Sequence, residues 1–339
     1  MRIALDVMGS DNYPRPDIAG GILAAREHDD TILLVGEEQI IRRELDSQPA
    51  QVQRAKLEIV PAEDRVLMTD SPGLVGKAKP KSSIHVGLNL VRDGLADAFV
   101  SAGNTGAILA IATLHTLKRI PGIKRPALGS ILRVSDRQII LLDIGANADS
   151  KPEWMVQFAL MGIIYARRAL QLNDVRVALL SNGEEEGKGS QLVRDTAALL
   201  RSAPVHFVGN IEPKELMRGL ADVVVTDGFV GNVTIKAFEA FGNLLFSLIR
   251  TEVRRNALTT IGALLARPAF RRVYAQVDPS EVGGAPLLGV NGVVIIGHGR
   301  SDARAVKNAI RQARLAVQGQ VVQAIQEEIG KYPTSVECV

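Results

Sequence analysis

Runs of Val, Ile and Leu recur along the chain at residues 3–7, 32–35, 57–60, 98–101, 139–143, 175–180, 205–208, 223–226 and 293–296, most of them apolar at successive positions. A strand with one wet face alternates, so unbroken apolar runs require cover on both faces, which is the signature of a mainly parallel sheet under helices. Between the runs, apolar residues take helical spacing at 16–26, 83–93, 105–118, 153–170, 191–201, 230–255 and 302–329. Alternation of the two patterns predicts a three-layer α/β/α sandwich of Rossmann-like kind with a mainly parallel sheet. The pattern shows no repeat, low-complexity segment or long linker, so residues 1–335 read as a single α/β domain.

The charges nearly cancel, at 40 Lys+Arg against 37 Asp+Glu, which gives no electrostatic footprint for nucleic acid. The single cysteine, Cys338, excludes a disulfide framework and a Cys-built metal site, and fits a reducing cytosol. Two long uncharged stretches, 98–117 and 282–299, are interrupted by Gly, Asn, Ser or Pro, and neither offers the roughly 20 apolar residues of a membrane span.

Polar loops follow the apolar runs. They are Asp6-Val7-Met8-Gly9-Ser10-Asp11, Ser101-Ala102-Gly103-Asn104-Thr105-Gly106, Asp143-Ile144-Gly145-Ala146-Asn147, the stretch from Ser181 to Gly189, Asp227-Gly228-Phe229-Val230-Gly231-Asn232, and His298-Gly299-Arg300-Ser301. Each alone reads equally well as a turn. Together they are expected to open on one edge of the sheet, where α/β folds place their chemistry. Their common physics is anion binding: the Asn104-Thr105 loop and the run Lys77-Ala78-Lys79-Pro80-Lys81-Ser82-Ser83 both deliver backbone donors at a helix start.

Standard motifs are absent. The sequence has no G-x-G-x-x-G, no G-x-S-x-G elbow and no H-E-x-x-H, and the loop from Gly183 to Gly189 departs from a P-loop at Asn182 and Gly189. The five histidines are scattered, so neither a metal nor an organic cofactor is expected. Of these, His298 alone sits in a Gly-rich loop after a strand.

The segment 253–274 differs from the rest. Its uncharged residues 256–266 lie between Arg254/Arg255 and Arg267/Arg271/Arg272. As a helix the uncharged part reaches about 16 Å, half a hydrocarbon core. It reads as part of a helical hairpin, 233–275, that packs in a core or dimer interface. Alternatively, it presents an apolar tip ringed by arginines to an anionic bilayer or acidic partner.

The ordered blocks DVMGSD, SAGNTGAILA, LDIGANADSKPEWMVQFALMGIIYA, NGEEEGKG, FVGNIE, DVVVTDGFVGNVTIK, EVGGAPLLGVNG and HGRSDARAVKNAI resemble the bacterial phosphate acyltransferases of phospholipid synthesis. The resemblance spans almost the whole chain, with Ser10, Pro213 and Ala240 standing where that family commonly has Gly. It implies reversible transfer of a long-chain acyl group from acyl carrier protein to inorganic phosphate, without cofactor. It further implies a fold akin to the isocitrate and isopropylmalate dehydrogenases and the phosphotransacetylases. A cytoplasmic homodimer is implied, attached peripherally to the inner face of the cell membrane near the downstream glycerol-3-phosphate acyltransferase.

On this reading phosphate binds to Ser83, Asn104, Thr105 and Lys188, with Asn147 and Asn182 also lining the substrate site. Asp227, Asn232 and His298 line the reacting centre, with Asn232 and His298 as oxyanion or phosphate donors. Arg254, Arg255, Ile261, Leu264, Leu265, Arg267 and Arg271 meet membrane or carrier protein. Alternatives are a short-chain phosphotransacetylase or dehydrogenase on the same scaffold, and a non-catalytic membrane-associated scaffold.

Overall fold

The computed structural model describes residues 1–48, 56–134 and 137–331, so Cys338 lies outside the described residues. In chain order the elements are β1 (Arg2–Asp6), α1 (Arg15–His28), β2 (Thr31–Gly36), α2 (Glu38–Asp46), β3 (Leu57–Pro61), α3 (Pro72–Ala78), α4 (Ser83–Arg92) and β4 (Ala98–Ser101). There follow α5 (Thr105–Ala110), β5 (Ala127–Val134), β6 (Arg137–Leu142), α6 (Pro152–Arg168), β7 (Arg176–Leu180), α7 (Gln191–Ser202), β8 (His206–Ile211), α8 (Pro213–Leu216) and β9 (Val223–Val225). The chain continues through α9 (Gly228–Val253), α10 (Ala257–Val277), β10 (Ala285–Leu288), β11 (Val293–Ile296), α11 (Ala303–Gln318) and α12 (Val321–Ile329).

All the strands join one sheet in the order β3-β2-β1-β4-β11-β10-β5-β6-β9-β7-β8. Pairing is parallel except at β11–β10, β10–β5 and β5–β6. Three successive reversals leave β6, β9, β7 and β8 running opposite to β1, β2, β3, β4 and β11. The polar loops therefore do not share one edge, as the sequence suggested. Those after β1, β4 and β11 leave one end of the strands, and those after β6, β9 and β7 leave the other.

Successive strand residues feed opposite faces. Leu5, Leu34, Val100, Leu142, Val177 and Ile295 pack beneath α1, α6, α7, α11 and α12. On the other face Ala4, Leu33, Phe99, Val294 and Ile296 meet α4 and α5. Further along that face Leu141, Ala178 and Val224 meet α8 and the start of α9. Ile144 packs against both of these patches, at the seam between the two halves.

β5 and β10 were not anticipated. Gly129 and Ser130 in the first, and Pro286 in the second, erase the strand signal; each pairs with the next strand in sequence, and the two pair with each other across the chain. The expected helix over 302–329 divides at Gln320, which takes φ +51°. Gly319 allows this turn to pass against α6, since a Cβ there would lie 2.4 Å from the Arg168 carbonyl oxygen.

α9 and α10 form a hairpin of largely exposed residues. Phe241, Leu244, Leu248, Leu258, Ile261, Leu264 and Leu265 are all more than half exposed. Arg254 and Arg255 occupy the turn itself, whereas Arg267 begins a second cationic group about 16 Å further along α10. The arginines thus bracket the apolar side chains rather than ringing a bare apolar tip. Among the described residues no helix is long and apolar enough to cross a membrane.

Candidate active site

Two apolar strands end in a buried aspartate, and each aspartate gathers one polar centre. At the end of β1, Asp6 accepts Met8 N–H at 3.0 Å and Ser101 Oγ–H at 2.7 Å, and Ser83 donates to it as well. Burial pushes its carboxyl up, against those donors and the nearby Arg65. Ser101 Oγ in turn accepts Gly103 N–H at 3.0 Å. The loops after β1 and β4 touch only because Gly9 has no side chain: a Cβ there would come within 2.8 Å of the Gly103 nitrogen.

Arg65 closes this centre from a third loop. It donates to the carbonyl oxygens of Met8 and Ser10 at 2.7 and 3.1 Å, and its guanidinium lies 3.6 Å above the Tyr13 ring. Ser10 donates to Asp17 at 2.5 Å, and the other Asp17 oxygen is buried without a partner. Burial pushes the Asp17 carboxyl up to about 7. The loop after β11 completes the group, with Gly299 O accepting Asp11 N–H at 2.8 Å.

Asn104 caps α5 by accepting Ala107 N–H, and its amide donates to the carbonyl oxygens of Leu67, Met68 and Asp70 at 3.1–3.2 Å. Ser83 and Asn104 are therefore committed to holding loops together. The N–H groups of Thr105 and Gly106 lie in the first turn of α5, where the helix offers no carbonyl. His298 is exposed, and its Nδ1 accepts Arg300 N–H at 3.1 Å. In the neutral ring that bond places the proton on Nε2, which is left to donate outward.

The second centre forms where β6 and β9 end. Asp143 is wholly buried and accepts five bonds, from the N–H groups of Leu128, Gly145, Ala146 and Asn147 and from Asn147 Nδ2, at 2.8–3.1 Å. Burial raises its carboxyl above the usual range while these donors pull the other way. Asn147 Nδ2 also reaches Pro126 O, and Asn232 Nδ2 donates to Ile144 O at 3.1 Å. Asp227 caps α9 through Phe229 and Val230. The N–H groups of Gly228 and Gly231 go to Asn147 O and Asp227 O, so the start of α9 has its donors occupied. Gly231 is required here, because a Cβ would meet Asp143 O at 1.9 Å.

Asn182 and Lys188 lie in an exposed loop after β7, at the same end of the sheet as the second centre and far from the first. β7 is six strands from β4, about 28 Å of sheet width at the usual spacing. Asn182 accepts Gly189 N–H, which shapes that loop. Nearby Glu184, Glu212 and Glu215 converge, with Lys214 Nζ at 3.0, 2.9 and 3.5 Å from them, so an ammonium already neutralises the group. The structure thus brings Ser83, Asn104, Thr105 and His298 into one region and Asn147, Asp227 and Asn232 into another.

Asp6, Asp17, Arg65 and Asp143, which organise the two centres, were not among the expected site residues. The legible signal was an apolar strand ending in Leu-Asp before a Gly-containing loop, twice in one sequence. Arg65 carried none.

The fold is a mostly parallel α/β sheet covered by helices on both faces, with a buried-aspartate centre at each end of its strands. Two solved structures share that fold. A phosphotransacetylase from Streptococcus pyogenes aligns at TM-score 0.58 and 17% identity, over 95% of this chain and 94% of that one. A branched-chain phosphotransacylase from Enterococcus faecalis gives TM-score 0.58 at 14% identity, over 94% and 99%. In sequence, residues 1–324 match the model of the fatty acid synthesis protein family, and the chain belongs to that family. A phosphate acyltransferase of Heliobacterium modesticaldum is 47% identical over 339 residues, covering 100% of both chains. One from Desulforudis audaxviator is 46% identical over 330 residues, covering 97% of this chain and 96% of its own. The chain is an acyltransferase that transfers acyl groups to phosphate.

Proposed function

We propose that the acyl donor is a long-chain acyl thioester of acyl carrier protein, and that inorganic phosphate itself attacks the thioester carbonyl. The observation that carries this reading is the fate of the hydroxyls in the first centre. Ser83 and Ser101 are 1% and 0% exposed and both donate to Asp6, so neither is presented as a nucleophile. Among the described residues, donors without a hydrogen-bond partner remain at the start of α5, on Thr105 and Gly106, and on His298. These favour a bound phosphate and, as the tetrahedral oxyanion forms, offset its charge. A phosphate oxygen forms the new C–O bond while the C–S bond breaks. The leaving thiolate, of an ordinary thiol with pKa about 8.5, needs little acid help.

The test is phosphate-dependent release of free carrier from a palmitoyl-loaded form, beside acetyl-coenzyme A with phosphate. Preference for the short acyl group would overturn the long-chain reading. His298→Ala is expected to lower kcat about 100-fold, with His298→Gln, which keeps an N–H donor, recovering part of it. Near-normal turnover in folded His298→Ala would remove this residue from the reaction.

Lys188→Ala separates the two ends of the sheet. With phosphate at α5, its phosphate KM stays within about twofold, whereas a tenfold rise, about 1.4 kcal/mol, would move the anion site to the loop after β7. Activity is expected to persist in EDTA.

The exposed stripe on α9 and α10 supports a homodimer in which the hairpins pack together. Ile261, Leu264 and Leu265 then approach anionic lipid at the inner face of the cell membrane, with Arg254, Arg255, Arg267 and Arg271 on headgroups and the glycerol-3-phosphate acyltransferase close by. Each cation there contributes about 1 kcal/mol. Flotation with anionic liposomes, lost in Leu264→Glu/Leu265→Glu, checks this; absence of wild-type flotation would end it.

A further inference from the structure

Many surface cations of this protein sit on a carboxylate, as in Arg2–Glu58, Arg42–Glu38, Lys56–Asp29 and Lys81–Glu63. The cations around Trp154 do not. A surface cavity of about 530 Å³ is lined by Leu114, Lys118, Arg119, Lys124, Arg125 and Trp154. Among the described residues none of its four cations pairs with a carboxylate. Lys118 and Arg119 donate instead to the carbonyl oxygens of Leu114 and Lys124, and the Arg125 guanidinium lies 5.0 Å from the Trp154 ring centre. A fifth cation, Lys151, lies 5.8 Å from the same ring. Leu114 is 62% exposed in the middle of this charge.

Concentrated positive charge in a chain of net charge +3 raises the local potential and steers acidic partners. An exposed leucine, a half-buried tryptophan and an arginine stacked on it are the groups that anchor a protein partner rather than merely attract it. The cavity is also mechanically joined to the second polar centre. Pro126, next to Arg125, accepts Asn147 Nδ2 at 2.8 Å, and Leu128 N–H is held by Asp143 at 3.0 Å. Leu114 lies in the last turn of the helical segment that begins at Thr105, about 14 Å away.

We propose that this cavity is where an acidic protein surface docks: carboxylates pair with Lys118, Arg119, Lys124 and Arg125, and an apolar side chain seats on Leu114 and Trp154. Resting on the function proposed above, that partner is the acyl carrier protein.

Trp154 is the only tryptophan in the chain, so its fluorescence reports this surface alone. Palmitoyl-loaded carrier protein, titrated at low ionic strength, is expected to change Trp154 emission saturably, with weaker binding as salt is added. Lys124→Glu/Arg125→Glu replaces two exposed side chains that have no carboxylate partner. It is expected to raise the carrier KM and the titration midpoint at least tenfold, with kcat and phosphate KM unchanged. An unchanged carrier KM in this variant would overturn the proposal. So would an equal KM rise with palmitoyl-coenzyme A, which would assign the cations to a small polyanion. If wild type binds the carrier saturably but releases none of it with phosphate, docking stands and the proposed reaction fails.

Discussion

Asp143→Ala is expected to cost about 3–5 kcal/mol of unfolding free energy, because it removes the single acceptor group for five buried N–H donors. Those donors come from Leu128 at the start of β5 and from the loop 145–147, so one side chain holds two strand ends in register. The loss reaches further than the loop. Asn147 O receives the N–H of Gly228, and Asn232 holds Ile144, so the start of α9 loses its seat as well. Asp143→Asn keeps one acceptor oxygen but turns an amide NH2 toward N–H groups, and an intermediate loss is expected. Urea unfolding followed by circular dichroism measures both. A change below about 1 kcal/mol in the alanine variant would mean that the loop finds other acceptors.

The second large effect depends on pH and runs in the direction opposite to a salt-bridged acid. Burial pushes the Asp17 carboxyl up to about 7 in the folded chain, from the ordinary carboxylate value of 3.8 when unfolded. Between those values the folded state keeps a proton that the unfolded state has released. Stability therefore falls as pH rises from about 4 to about 7, and the penalty is constant above that. The integrated contribution is on the order of 4 kcal/mol. The physical cause is burial beside Asp6, with only Ser10 donating to one oxygen and the other oxygen unpartnered.

Asp17→Asn fixes the neutral form. Variant and wild type are expected to have similar stability near pH 4, and the variant to be the more stable near pH 8. Asp6 is raised by burial too and adds the same sign, but it is present in both proteins, so their difference isolates Asp17. A difference that stays flat from pH 4 to 8 would show that Asp17 is ionised throughout.

Much of the architecture was legible in order. The runs that became β1, β2, β4, β6, β7, β9 and β11 announce themselves because burial on both faces demands consecutive apolar residues, a local property of the chain, while the edge strands β3 and β8 are half-exposed and show only as short Val- or Ile-containing runs. Helical periodicity is equally local, which is why α1, α4, α6, α7 and α9 could be placed. The family also shows in sequence, since its blocks are contiguous. β5 and β10 were hidden because Gly129, Ser130 and Pro286 carry no strand signal of their own.

Those two strands decide what the linear pattern could not. Pairing of Leu287 and Leu288 with Leu128 and Ala127 joins segments some 160 positions apart and reverses the direction of half the sheet. That reversal divides the expected single cluster, leaving Ser83, Asn104, Thr105 and His298 at one end and Asn147, Asp227 and Asn232 at the other. The same dependence on distant contacts sets each side chain's role. Asn104 looked like an anion ligand until three carbonyls from the loop 67–70 claimed its amide, and Asp6 looked like a turn residue until Ser101 arrived from 95 positions away. The sequence determines which polar groups each loop carries. Only the packed structure decides which of them spend their hydrogen bonds on the fold and which face outward, because that is settled by partners far along the chain.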